Sequence, residues 1–162
     1  MALTLDGTAG ITFPSGSGTQ AAQSKVLQVV NATTNSNSST SNSSWTAAGF
    51  SASITPLFST SKVLIICQLC VAQTASNGDA YYTIYKNGST NLGNSSVGLA
   101  NIYTNAVYTN PFRASLSIVY LDSPATTSAT TYALYFQTNT VGTAQINNEA
   151  TTSTITLMEI SA

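Results

Sequence analysis

Few residues in this chain could do chemistry, and their spacing does not favour it. Cys67 and Cys70 stand at the C-x-x-C spacing of redox and metal motifs. They lie in the apolar run from Lys62 to Gln73, which reads as a β-strand. In a strand, residues three apart face opposite sides and lie roughly 10 Å apart at about 3.3 Å per residue. A disulfide needs Cα atoms within about 7 Å. With no second pair and no histidine to complete a zinc site, the two read as small buried hydrophobes. Serine and threonine make up nearly a third of the chain, but a hydroxyl nucleophile needs a base within hydrogen-bond reach. Histidine is absent and lysine rare. Glycoside cleavage needs two carboxylates about 5–9.5 Å apart, and the five acids, Asp6, Asp79, Asp122, Glu149 and Glu159, form no local pair. Asp79 and Asp122 fall at strand ends or turns, where Asp bonds its own backbone. Glu159 lies in the terminal strand and reads as a structural hydrogen-bond acceptor. The expectation is a protein that is not an enzyme, with no catalytic residue, no metal and no cofactor.

Charge narrows the partners. Four cations, Lys25, Lys62, Lys86 and Arg113, and five acids give a net charge of −1. Isolated cations form no basic patch for phosphates, so neither nucleic acid nor an anionic membrane is an expected partner. Surfaces ordinarily carry about 25–35% charged residues. Here the figure for the whole chain is 6%, so Ser, Thr, Asn and Gln must keep the exterior wet. The N-terminus, MALTLDGTAG, has neither the basic region nor the long apolar stretch of a signal peptide. No apolar run approaches the about 20 residues of a membrane span.

The elements that must position any surface residue are strands. Residues 1–23 form a separate, extended segment ending in a flexible Gly/Ser stretch, with too little apolar surface to fold alone. Residues 24–162 read as one domain. A strand begins near Lys25, and residues 35–44 form a polar low-complexity loop. Trp45 and Phe50 bracket a short strand, and a second ends at Pro56. The Lys62–Gln73 run is apolar on both faces: Val63, Ile65, Cys67, Leu69 and Val71 on one, Leu64, Ile66 and Cys70 on the other. Such a strand is central, or is covered by another subunit. Asp79–Lys86 is a strand ending in the turn pair Asn87-Gly88. Strand potential recurs near Ser96–Ala100, then in the alternating residues from Phe112 to Tyr120, around Tyr132, Leu134 and Phe136, at Val141–Ile146, and at Thr154–Ile160. No window has helical periodicity. About eight to ten short strands at roughly 8–12-residue spacing imply an all-β antiparallel sandwich or jelly roll.

Two stretches carry a resemblance. Residues 10–20, Gly-Ile-Thr-Phe-Pro followed by Ser, Gly, Thr and Gln, resemble the I-T-F-P leaders of tail-fibre and other virion proteins of tailed phages, cyanophages among them. The body resembles the tumour-necrosis-factor-type jelly-roll knobs that follow such leaders. The matching pieces are Trp45 and Phe50, Ile54-Thr-Pro56 before Ser61–Ile65, Tyr85-Lys-Asn-Gly88, Tyr120–Pro124, Tyr132, Ile146-Asn147 and Ile155–Ile160. The resemblance implies a homotrimer, a virion location and a leader that docks on other virion proteins of the baseplate, tail or capsid, with Leu3, Leu5, Ile11 and Phe13 as docking residues. It implies a tail fibre presenting its knob to a host-surface glycan, with capsid decoration as the alternative. The doubly apolar strand agrees with a subunit interface. For receptor contact, residues 87–110 are rich in Tyr and Asn, which pair a rigid amphipathic ring with adaptable hydrogen bonding. Asn91, Asn94, Asn101, Tyr103, Asn105 and Tyr108 are the expected contact residues, unless the tyrosines pack inside and the asparagines serve turns.

Overall fold

A computed structural model describes residues 4–6, 10–12, 25–105, 111–139 and 141–162. Every regular element among them is a strand. In the N-terminal segment, β1 (Thr4–Asp6) and β2 (Gly10–Thr12) pair antiparallel with each other, Leu5 opposite Ile11. Leu3 and Phe13, also expected to dock, lie outside the described residues.

The body runs β3 (Val26–Thr34), β4 (Ser38–Thr40), β5 (Thr46–Ile54), β6 (Lys62–Gln73), β7 (Asp79–Lys86), β8 (Thr90–Asn91), β9 (Ala100–Tyr103), β10 (Phe112–Asp122), β11 (Thr130–Thr138), β12 (Ala144–Ile146) and β13 (Ser153–Ile160). Several short pieces are halves of one strand. β3 and β4 follow one line, as do β12 and β13, because both β12 and β13 pair with the same edge of β6. The first sheet therefore reads β3/β4, β12/β13, β6, β10, and the second β5, β11, β7, β8/β9. Successive strands alternate between the sheets except at β7 and β8/β9, which are neighbours in the second sheet, and the last strand lies beside the first. This is the topology of a jelly roll, in which two Greek keys close a sandwich.

Alternation builds the core. Val63, Ile65, Cys67, Leu69 and Val71 of β6 meet Ile155 and Leu157 of β13 and, across the sandwich, Ile84, Tyr132, Leu134 and Phe136. All are buried. Each such side chain contributes about 1.5–3 kcal/mol relative to exposure. Tyr82 stacks on Phe136, centroids 6.4 Å apart. The Tyr82 hydroxyl donates to Gln145 O at 3.1 Å, and burial pushes its pKa up. In β5 the register against β11 shifts between Ala133 and Tyr135, opposite Gly49, whose φ is +73°. That bulge merges the two strands expected around Trp45–Phe50 and Ser51–Thr55 into one.

Buried polar side chains replace backbone ladder where the strands break. Between β12 and β13 the chain loops out, and Asn147 (φ +53°) fills the gap. Its amide nitrogen donates to Thr34 O and Ser36 O, its side-chain oxygen accepts from Ser153 Oγ at 2.6 Å, and its backbone N–H reaches Cys70 O. The same stitch holds the strand break at residues 35–37, so the segment read as a featureless polar loop, 35–44, contains β4 with Thr40 buried. Glu159 is fully buried. It accepts from the Leu57 N–H at 2.8 Å, the Phe58 N–H at 3.4 Å and Gln28 Nε2 at 2.6 Å, tying the β5–β6 turn to the first sheet. Asp122 accepts from the Tyr132 hydroxyl at 2.7 Å and pairs with Lys86 at 3.1 Å, bridging the two sheets. It does not bond its own turn, as a sequence reading of Asp at a strand end expects. Two partners on the opposite sheet take its carboxylate instead.

The cysteines divide as strand geometry requires. Cys67 points into the core, where burial pushes its thiol up to about 12, and Cys70 lies half-buried on the outer face; both are free. In the folded protein an aromatic disulfide reagent is expected to label one thiol, Cys70, and to reach Cys67 only in denaturant. Two equivalents released from the native protein would contradict this arrangement.

Burial alone would raise the Glu159 pKa, but the hydrogen bonds from Gln28, Leu57 and Phe58 outweigh it and hold the pKa below the ordinary 4.5. A depressed folded pKa means stability that is full above the unfolded value and lost as pH falls through the folded one. Glu159→Gln is expected to cost about 1–3 kcal/mol at pH 7 in urea denaturation. The difference from wild type should shrink as pH falls below 4.5. An equal deficit at acid and neutral pH would rule out a charged Glu159.

Candidate functional site

Among the described residues, the outer face of the second sheet carries most of the partly exposed aromatic rings. Odd positions of β7 and β11 point away from the core, which places Tyr81, Tyr85 and Tyr135 outside. The segment 92–99, expected to hold a strand near Ser96–Ala100, is instead a loop folded onto this face, and β9 starts at Ala100. Trp45 Nε1 donates to Ser95 O at 2.7 Å and Gln137 Nε2 to Ser96 O at 2.6 Å. Gly98 (φ +72°) makes the close approach possible: a Cβ there would come within 2.5 Å of Tyr82 O and 2.7 Å of the Trp45 ring. The loop separates two groups of tyrosines. On one side Tyr85 and Tyr135 stack on each other, centroids 4.1 Å apart.

On the other side, at the start of β7, the register sets Tyr81 opposite Asn101 and Asp79 opposite Tyr103. Tyr103 is 55% exposed, and its hydroxyl donates to Asn77 Oδ1 at 3.3 Å. Asp79 is half-buried and fixed: its carboxylate accepts from Asn139 Nδ2 at 2.9 Å, and its N–H donates to Asn139 Oδ1 at 3.1 Å. Partial burial and the hydrogen bond with Asp79 raise the pKa of the Tyr81 hydroxyl. Below the cluster, buried Thr104 bonds Ala75 O and accepts from the Gly78 N–H at 3.1 Å. Buried Gln73 donates to Asp79 O at 3.0 Å. The residues are thus held by core-anchored side chains.

Of the residues expected to contact a receptor, Asn101 and Tyr103 stand together in this cluster, and exposed Asn105 follows β9. Asn91 and Asn94 do not join them. Asn91 accepts from Thr83 Oγ1 and the Gly93 N–H, and Asn94 accepts from the Ser96 and Val97 N–H groups, so both shape the loop. Tyr108 lies outside the described residues. Asn77, Asp79 and Tyr81 escaped the sequence reading because strand register, not sequence proximity, brings them to Asn101 and Tyr103.

The first sheet has a different outer face. Its register lines up Leu121, Leu64, Met158 and Val29 in one row, with Val119 and Ile66 in the next, which continues into Thr156 and Asn31, and Lys62, Ile160 and Val26 beyond. Val119 is 64% exposed, Val29 55%, Leu121 49% and Val26 40%. Toward the other end the rows turn polar, with Ser117, Gln68, Thr154 and Thr33. A pocket of about 260 Å³ at that polar end is lined by Cys70, Arg113, Ser115, Asn148 and Thr151. Its one cation is occupied, since Arg113 pairs with Glu149 at 2.6 Å and donates to Asn148 at 3.1 Å. Among the described residues no cluster of His, Cys, Asp or Glu could hold a metal ion.

No family model matches the chain, and no curated protein matches its sequence. Among solved structures it is similar to the Gt strain of infectious bursal disease virus, at 14% identity and a TM-score of 0.43. It is also similar to the VP2 subviral particle of that virus, at 14% identity and a TM-score of 0.42. Both matches cover the whole of this chain, which spans 42% of the length of each neighbour. At these scores the likeness carries no inference about function.

Proposed function

We propose that this chain is a structural protein of a virion surface, whose segment 1–23 docks on the particle and whose jelly-roll body assembles as a homotrimer facing outward. The observation that carries the reading is the apolar end of the first sheet, where Val26, Val29, Leu64, Val119, Leu121 and Met158 stand contiguous on a chain with little charge. Exposed apolar patches of more than a few hundred Å² mark contact surfaces. Burial against copies of the same chain removes such a patch from water at low desolvation cost, since Lys62 is the only charged residue in its strand rows. The leader that resembles virion docking segments supports the particle setting.

Two placements follow from two features. The apolar patch and its capacity for protein contact favour a capsid-decoration role, in which the knob seats among coat subunits. The tyrosine-bearing face favours a tail fibre that meets the host surface. Gold labelling of intact particles with an antibody to the body tests both: uniformly labelled heads give decoration, labelled tails give the fibre. Unlabelled particles would sink the virion reading. For the assembly, sedimentation of the wild type is expected to give three copies, and Leu121→Glu to give a monomer that still unfolds cooperatively, at a melting temperature lowered by the lost assembly. A wild-type monomer at micromolar concentration would remove the trimer.

A further inference from the structure

We propose that Asn77, Asp79, Tyr81, Asn101 and Tyr103, at the start of β7 and the adjoining β9, form a binding site for neutral sugars. The proposal deepens the surface reading, which supplies its setting. Sugar recognition needs a rigid ring to cover the C–H face of a pyranose and polar groups that both donate to and accept from hydroxyls. The cluster supplies both. Tyr103 is well exposed and Tyr81 partly so, and they sit diagonally across one strand pair. Asn77 and Asn101, both exposed, offer amides that donate and accept. Asp79 supplies a carboxylate, an acceptor for hydroxyl donors.

Charge selects among sugars. Lys25, Lys62, Lys86 and Arg113 are the chain's cationic side chains. Lys62 and Arg113 lie in the first sheet, Lys25 precedes its first strand, and Lys86 is committed to Asp122 at the far end of β7. Asp79 belongs to neither of the described ion pairs. A sialylated, sulfated or phosphorylated glycan would bring its anion to a carboxylate with no cation to balance it, a mismatch that counts against binding. Neutral hexoses and N-acetylhexosamines meet no such barrier. The geometry is preset, because Asn139 holds Asp79, Asn77 accepts from Tyr103, and buried Thr104 and Gln73 hold the turn beneath them. Little ordering is left to do on binding.

The alternative is that the tyrosines only stabilise the strand pair. The full-length protein on a printed array of neutral hexose and N-acetylhexosamine oligosaccharides, with sialylated and sulfated oligosaccharides beside them, separates the two. Binding to neutral probes is expected, and Tyr103→Ser and Asn101→Ala should each weaken it about tenfold. Tyr103→Phe, which keeps the ring, should retain most of it. Both altered residues are exposed, so the melting temperature should hold. A silent array, a preference for anionic probes, or neutral binding untouched by both substitutions would overturn the proposal. The array uses free protein, so it is independent of particle location. Sugar binding with unlabelled particles would sink the virion reading alone, and labelled particles with a silent array would sink this one alone.

Discussion

The structure depends on one constraint: strand β6 must have both edges hydrogen-bonded and its inner face dry. β10 pairs along nearly its whole length on one side, and β13 and β12 share the other. Burying Val63 through Val71 demands a second sheet, which Tyr132, Leu134 and Phe136 complete. A backbone at this depth tolerates no unpaired amide. Where β12 gives way to β13, side chains must therefore take over from the ladder. Asn147 and Ser153 do so, with Ser153 Oγ accepting from the Cys70 N–H at 3.2 Å. Glu159 and Asp122 perform the same service for a turn and for the inter-sheet gap. Four of the buried polar groups thus mark the places where a jelly roll departs from ideal strands.

Much of this was legible in the residue pattern. Alternation from Phe112 to Tyr120 and at Tyr132, Leu134 and Phe136 located β10 and β11, and the two-faced Lys62–Gln73 run located the central strand. The misses have physical causes. β4 is Ser-Ser-Thr, whose strand state comes from pairing with β12 and not from apolar content. The segment 92–99 has residues that could extend, but Trp45 and Gln137 draw it across the sheet. Glu159 read correctly as an acceptor, while the partners of Asp122 lie on another sheet and leave no mark near it in sequence.

The candidate site was half legible. Tyrosine and asparagine density pointed to residues 87–110, and two of those residues, Asn101 and Tyr103, do face outward in a common cluster. The density also drew in Asn91 and Asn94, which composition cannot distinguish from recognition residues because turn formation selects the same side chain. The other half of the cluster comes from β7 and the turn before it. Only the register of β7 against β9 brings those residues alongside, and register is a tertiary property.

One junction sets where the proposed docking segment meets the body. The chain enters the body at Lys25, whose carbonyl accepts from the Ser161 N–H at 2.9 Å, and Val26 lies opposite Ile160 in the apolar end of the first sheet. The described chain therefore enters the body beside the patch best suited to self-contact. Copies joined through that patch, as proposed, would have these entry points close together. Anchoring would then become multivalent: once one leader engages, the others search a small volume at high effective concentration. A weak individual peptide contact could hold such an assembly firmly, and a detached copy would let go.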